Sequence, residues 1–141
     1  MTTASPINIA RIDHVVLRVQ DLERMIGFYS AVLGCQLERG PGEERLAQLR
    51  AGDSLIDLVD VDGPLGRLAG NAPDSAAPNV DHICLLVEPW DEAAILAQLR
   101  AHGVEPGQVE SRYGATGHGP SVYFRDPEGN AIELKGQSGM A

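Results

Sequence analysis

Residues 12–19 read IDHVVLRV, and residues 80–87 read VDHICLLV. In each stretch apolar residues alternate with other side chains, the pattern of a β-strand with one buried face. The Asp-His pair near the start recurs 68 positions later, so that His14 corresponds to His82. An internal repeat of this kind predicts a chain built from two copies of one unit.

A helix is predicted after each strand. The first covers residues 21–34, with Asp21 as N-cap and Gly34 as its stop. Its apolar stripe consists of Leu22, Met25, Ile26 and Tyr29. The second helix runs from about residue 89 to residue 102 and ends at Gly103. Its predicted buried face consists of Trp90, Ala94, Ile95 and Leu99.

Each half then closes with a hairpin pattern, at residues 46–59 and 121–134. Both stretches place turn residues between two short apolar strands. We therefore expect one domain over the 141 residues, made of repeats 10–60 and 79–136 joined by a loop at 61–78. Each repeat should contain a strand, a helix and about three more strands.

Two further segments are predicted to be loops. Gly, Arg and Glu dominate residues 38–45, and glycines punctuate the approach to the last hairpin at residues 111–120. Glycine-rich segments of this kind favour turns and loops over regular structure.

Composition excludes several classes of protein. With 43% hydrophobic residues the chain is globular, and no apolar run is long enough to cross a membrane. A net charge of −9 without a Lys/Arg cluster argues against nucleic-acid binding. No signal peptide is evident, so a cytoplasmic location is expected. Two cysteines, Cys35 and Cys84, are too few for a disulfide scaffold and are predicted to be free thiols.

Four polar residues occupy matching places in the two halves. Apolar neighbours bracket an acidic residue in both 56–58 and 132–134. Strand alternation therefore turns these acids, and the repeated histidines, away from the core. The four residues are His14, Asp57, His82 and Glu133. Imidazole and carboxylate together suit a divalent ion such as Zn²⁺, Ni²⁺, Mn²⁺ or Fe²⁺. Asp57 is the fourth candidate ligand, with a side chain one methylene shorter than that of Glu133.

These segments resemble a known family. Residues 12–34, 80–87 and 123–135 resemble the opening strand and helix, the second opening strand and the closing motif of the vicinal oxygen chelate superfamily. The resemblance implies an α+β fold of paired βαβββ modules, which form a cupped mixed sheet with helices on its outer face. It also places His14, His82 and Glu133 at family ligand positions, with Asp57 where glyoxalase I carries a Glu. A homodimer is implied as well.

The function implied by the resemblance is glyoxalase I-like lyase or isomerase chemistry on a small oxygen-chelating substrate. The metal would act as a Lewis acid, and Glu133, or less favourably Asp57, would move the proton. A thiol such as glutathione is an expected co-substrate.

Three alternatives stay open. The segment at residues 111–124 is similar to that of fosfomycin-type thiol transferases and epoxide hydrolases. Two histidines and a carboxylate also suit an extradiol dioxygenase. A non-catalytic binding protein of the bleomycin-resistance type is the third alternative. The residues predicted to contact substrate are Arg50, Arg112, Tyr113, His118 and Tyr123.

Overall fold

The structure is a computed structural model that describes residues 5–74 and 76–137. The order strand, helix, strand, strand, strand occurs twice along the chain, which confirms the predicted paired βαβββ fold. The elements are β1 (His14–Val19), α1 (Leu22–Ala31), β2 (Gln36–Arg39), β3 (Leu46–Ala51), β4 (Ser54–Asp60), β5 (Ile83–Leu86), α2 (Glu92–Ala101), β6 (Glu110–Gly114), β7 (Gly117–Arg125) and β8 (Ala131–Lys135).

The strands form two four-stranded mixed sheets with the same internal order. The first sheet runs β1-β4-β3-β2 and the second runs β5-β8-β7-β6. In each sheet the opening strand pairs in parallel with the closing strand, and the remaining pairs are antiparallel. Within the described residues β1 and β5 are therefore edge strands, each with one neighbour.

Helix α1 forms where its apolar residues recur at helical spacing. The Asp21 side chain accepts a hydrogen bond from the Arg24 backbone N–H at 3.2 Å, as predicted for the N-cap. Leu22, Met25 and Tyr29 are fully buried. Burial of a side chain of this size contributes about 1.5–3 kcal/mol. The helix is shorter than the predicted span of 21–34 because its last regular turn ends at Ala31.

Helix α2 begins later than predicted. Asp91 accepts a hydrogen bond from the Ala94 backbone N–H at 3.1 Å, so it is the N-cap and the helix starts at Glu92. Leu99 lies in the core as expected. Ala94 is exposed, which corrects its prediction as a core residue. The buried face instead follows Ile95 and Leu99, which are four residues apart on one side of the helix.

The predicted glycine-rich loop at 111–120 is wrong, because these residues form β6, a two-residue turn and the start of β7. Gly117 has a φ of +91°, which allows the tight turn. At Gly119 a Cβ atom would collide with the backbone carbonyl of Gly136. These glycines therefore permit a turn and a close backbone approach rather than flexibility.

The turn between β7 and β8 connects the two halves through hydrogen bonds. Asp126 is buried and accepts a hydrogen bond from the Tyr29 hydroxyl at 2.7 Å. The Glu128 carboxylate accepts bonds from the backbone N–H groups of Gln20 and Asp21, just before α1. A negative charge there also complements the partial positive charge at the start of the helix. One continuous core, drawn from both halves, results.

Smaller corrections concern the other loops. Strand β2 extends to Arg39, so the loop predicted at 38–45 begins at Gly40. The joining segment at 61–78 contains a short 3-10 helix, Gly66–Ala69. Cys35 and Cys84 are free thiols, as predicted. Of the helices in the described residues, none is long and apolar enough to cross a membrane.

Candidate functional site

The second half contains a compact polar cluster around His82 and Glu133, here called the second pair. The Nε2 atom of His82 lies 3.2 Å from Glu133 Oε1, and Glu133 is only 5% exposed. On its other side the His82 ring contacts Asp81, with Nδ1 2.7 Å from Oδ2. Strand alternation brings this about, because Glu133 faces away from its buried neighbours on β8.

This geometry leaves a place for a cation. If Nδ1 of His82 donates its hydrogen to Asp81, then Nε2 presents a lone pair toward the Glu133 carboxylate. Two acceptors at that separation repel each other unless a proton or a metal ion lies between them. Nitrogen and oxygen ligands of one ion, each about 2.0–2.2 Å from it, lie about 2.8–3.6 Å apart at octahedral or tetrahedral angles. The 3.2 Å separation fits that range.

Hydrogen bonds hold Glu133 in place. The Ser121 hydroxyl donates to Glu133 Oε2 at 2.7 Å, and Arg112 Nη1 donates to the Ser121 hydroxyl at 2.8 Å. Burial acts to raise the pKa of Glu133, but the hydrogen bonds from Ser121 and Tyr123 and the nearby charges of His82 and Arg112 outweigh it, so the pKa is lowered. Burial, with the hydrogen bond to Glu133, raises the pKa of Tyr123. Glu133 is thus held as a carboxylate beside a protonated phenol.

The first half contains the corresponding residues His14 and Asp57, here called the first pair. His14 Nδ1 lies 2.7 Å from Asp13 Oδ2. This hydrogen bond is the main cause of the raised pKa of His14, burial opposes it, and the charge of Asp57 adds to it. Asp57 is 2% exposed and accepts a hydrogen bond from Gln48 Nε2 at 3.0 Å through Oδ2.

The other oxygen of Asp57 has no partner. Oδ1 is buried and accepts no hydrogen bond from the described residues. An unsatisfied buried carboxylate oxygen is costly, and a bound cation removes that cost. The residues of the first pair therefore also fit a metal ion.

The two pairs are related by the same strand register. Val16 lies opposite Asp57, and Cys84 lies opposite Glu133. In both halves the histidine comes two residues before the position opposite the carboxylate. The pairs lie on different sheets, and in the described part of the chain no three His, Cys, Asp or Glu side chains gather closely enough to hold a metal. One chain thus presents two separate imidazole–carboxylate pairs.

Three of the predicted substrate contacts lie elsewhere. Arg50 binds Glu38 through two hydrogen bonds of 2.8 and 3.0 Å. Tyr113 is 76% exposed, and its ring packs edge-on against His118 at 5.1 Å. In contrast, Arg112 and Tyr123 belong to the polar cluster around the second pair, where the Arg112 guanidinium lies 4.8 Å from the centre of the Tyr123 ring.

Several residues of the clusters were not predicted as functional. Ser121 shares its strand face with Tyr123, so alternation alone marks it. Asp13 and Asp81 precede each histidine, and their recurrence in the repeat was the available signal. Contact between their carboxylates and the imidazoles became visible only in the structure.

A cleft of about 750 Å³ adjoins the second pair. It lies between α1, the segment after α2 and the turn between β7 and β8, and its walls include Phe28, Val104 and Arg125. Asp81 and Tyr123 line the cleft and also contact His82. The cleft reaches the second pair only through these two residues, because neither His82 nor Glu133 lines it.

Comparisons with known proteins agree with this geometry. The profile of the Glyoxalase/Bleomycin resistance protein/Dioxygenase superfamily matches residues 11–134. The chain is 31% identical to human mitochondrial methylmalonyl-CoA epimerase, over 94% of this chain and 77% of the relative. It is 33% identical to a probable lactoylglutathione lyase of Vibrio cholerae, over 88% of each chain.

A solved structure has the same fold. The integron cassette protein VCH_CASS1 from the mobile metagenome of V. cholerae superposes with a TM-score of 0.77 and is 29% identical. The match covers 94% of this chain and 98% of that protein.

Proposed function

Because the chain belongs to the Glyoxalase/Bleomycin resistance protein/Dioxygenase superfamily, we propose that it is a metal-dependent enzyme. It moves a proton at the carbon next to a carbonyl of a small oxygen-chelating substrate. The observation that carries this proposal is the pair of equivalent imidazole–carboxylate half-sites, His14 with Asp57 and His82 with Glu133.

The complete site is built by two copies of the chain. The two pairs lie on separate sheets, next to the unpaired edges of β1 and β5. Val16 and Leu86 on these edge strands are 46% and 47% exposed. Exposed apolar edges invite another strand. Pairing of β1 from one chain with β5 from the other brings His14 beside His82, with a carboxylate on the next strand on either side. The functional unit is thus a homodimer.

The four residues would hold Zn²⁺, Ni²⁺, Mn²⁺ or Fe²⁺. When bound, such an ion supplies Lewis-acid polarisation of a substrate oxygen. Glu133 is the general base, because it is ionised and held by Ser121 and Tyr123 at a fixed position. Tyr123 keeps its proton and donates it in the hydrogen bond to Glu133. Asp57, with its unpartnered oxygen, is the second candidate for the base.

Proton transfer of this kind is what the two relatives have in common. An epimerase inverts a stereocentre, and removal and return of a proton beside a carbonyl accomplishes this. The isomerisation that converts the thiol adduct of a ketoaldehyde into a hydroxyacyl thioester proceeds by the same movement of a proton. The proposal therefore rests on the shared step and leaves glutathione as one of two thiol carriers to test, coenzyme A being the other.

The test is hydrogen exchange in heavy water. Metal-loaded protein is incubated with the hemithioacetal of methylglyoxal and glutathione, and separately with methylmalonyl-CoA, and deuterium incorporation is followed by proton NMR. We expect incorporation with at least one substrate, its loss with a chelator, and its loss in Glu133→Gln. Glu88→Gln, an exposed carboxylate outside the cluster, is the matched control and should retain full activity.

Other outcomes point to other functions. Chelator-insensitive ligand binding without exchange would indicate a binding protein. Oxygen consumption with a catechol and Fe²⁺ would indicate a dioxygenase, and opening of the fosfomycin epoxide by a thiol or water would indicate that chemistry. Each of these would contradict the proton-transfer proposal.

A further inference from the structure

Lys135 is the only lysine in the chain, and it is buried. Of the eleven Lys and Arg residues, the remaining ten are arginines. Lys135 is 2% exposed and lies on β8 two residues after Glu133. Strand alternation therefore turns both side chains to the same face of the sheet. A buried lysine ordinarily has a carboxylate partner, because burial of an unpaired charge is costly.

Among residues 5–74 and 76–137, no carboxylate pairs with Lys135. Its Nζ atom donates to the Gly136 carbonyl at 3.1 Å and to the Thr116 hydroxyl at 3.4 Å. The ion pairs among the described residues all involve arginine or histidine. An ammonium group has three hydrogens to donate, so one of them remains without an acceptor. The group thus has the charge and the donor to receive an anion.

The neighbouring cation is already engaged. Arg112 donates to Glu110 at 2.8 Å, and to the Ser121 hydroxyl and carbonyl at 2.8 and 2.9 Å. The charge of Arg112 is therefore compensated by Glu110, and its donors are directed to fixed acceptors. Of the two cations on this face in the described part of the chain, Lys135 is the one without a carboxylate partner.

Gly114 and the turn after it lie over the buried Lys135 side chain. Its side chain packs against Gly114, where an added Cβ atom would lie 3.2 Å from Cδ and Cε. The turn residues Ala115 and Thr116 are exposed. The bond to Thr116 is at the long limit for a hydrogen bond, so a charged acceptor competes well for the same ammonium hydrogen.

We propose that Lys135 binds a carboxylate of the substrate, distinct from the oxygens held at the second pair. This inference rests on the proposed function, because it takes Glu133 as the place where the substrate is anchored. Residues two apart on a strand are about 6.6–6.8 Å apart. The substrate class is therefore a small chelating acid with a second carboxylate a few carbons from the chelating oxygens.

The experiment uses two five-carbon acids with the same chelating end. 2-Oxoglutarate carries a second carboxylate, and 2-oxopentanoate has a methyl group in its place. Binding of each to the metal-loaded protein is measured by calorimetry. We expect the diacid to bind about tenfold more tightly, as one charge-assisted hydrogen bond would give. In Lys135→Met the preference should vanish, with the affinity for 2-oxopentanoate and for the metal unchanged.

A second measurement needs no variant. Lys135 and the N-terminal amine are the only amines of the chain, so acetylation of Lys135 is read directly by peptide mass spectrometry. 2-Oxoglutarate should protect Lys135 at concentrations where 2-oxopentanoate does not. Equal binding of both acids by the metal-loaded wild type, or equal protection, overturns the inference while the proposed function stands. A protein that binds no metal overturns the proposed function itself.

Discussion

Asp57→Asn should have opposite effects on the metal-free and metal-loaded protein. The carboxylate is 2% exposed, Oδ2 accepts a hydrogen bond from Gln48 at 3.0 Å, and Oδ1 has no partner among the described residues. Asparagine keeps the shape and the acceptor for Gln48 and replaces the charge by a neutral amide, which is cheaper to bury. An unsatisfied buried group costs about 1–3 kcal/mol, so we expect the variant to stabilise the metal-free protein by about 1 kcal/mol. That corresponds to a rise of about 3–5 °C in melting temperature for a chain of this size.

With metal present the order should reverse. A ligand at a hundred times its dissociation constant stabilises the folded state by about 2.7 kcal/mol through mass action. Wild type gains this contribution, and Asp57→Asn loses much of it because an amide is a weaker ligand than a carboxylate. The assay is a thermal melt of chelator-stripped protein with and without added Zn²⁺, Ni²⁺ or Mn²⁺.

Asp53→Asn is the matched control, because Asp53 lies exposed in the turn between β3 and β4 of the same hairpin. It should leave both melting temperatures unchanged. If Asp57→Asn melts below wild type when stripped and keeps the full metal-induced rise, then Asp57 is a structural acceptor and the reasoning is refuted.

Three further predictions concern neighbouring residues. Asp81→Asn should weaken metal affinity by about 10–100-fold, measured by calorimetry, because Asp81 orients the His82 ring; unchanged affinity would contradict this role. Tyr29→Phe should lower the free energy of unfolding by about 1.5–3 kcal/mol in urea, since it removes a 2.7 Å hydrogen bond to the buried Asp126 carboxylate; an unchanged denaturation midpoint would argue against that bond. The lowered pKa of Glu133 stabilises the folded state at pH values above the ordinary pKa of 4.5, and this stability is lost as the pH falls through the folded-state pKa. Metal-free Glu133→Gln should therefore lose less stability on acidification than wild type. Identical acid denaturation profiles would contradict the lowered pKa.

Much of the fold was predictable because its signals are local. The recurrence of His14 as His82 revealed the repeat, and strand alternation placed Glu133 on the polar face. Helix ends were less accurate, since Trp90 continues the apolar pattern and only the contact of Asp91 with the Ala94 backbone marks the start of α2. The glycines near residue 119 led to the prediction of a loop, because a close approach of two backbones leaves no local trace in a sequence.

The candidate site was predictable as a set of residue types but not as an arrangement. Alternation gives the face of Asp57 and Glu133, yet it cannot show that the two lie on separate sheets. Nor does it distinguish Arg50, which pairs with Glu38, from Arg112, which reaches Ser121 beside Glu133. Such choices depend on side-chain contacts between residues distant in sequence.

The most direct test of a site shared between two chains uses mixed dimers. One variant carries His14→Ala with Asp57→Asn, and the other carries His82→Ala with Glu133→Gln. Each variant is given a different tag, and dimers that contain both are purified after co-expression and assayed for bound metal. If the site is shared between chains, a dimer of either variant by itself binds no metal. Each mixed dimer then binds one ion, because one of its two sites is intact. Mixed dimers that contain no metal, or a wild-type monomer that binds one ion by itself, would contradict the shared site.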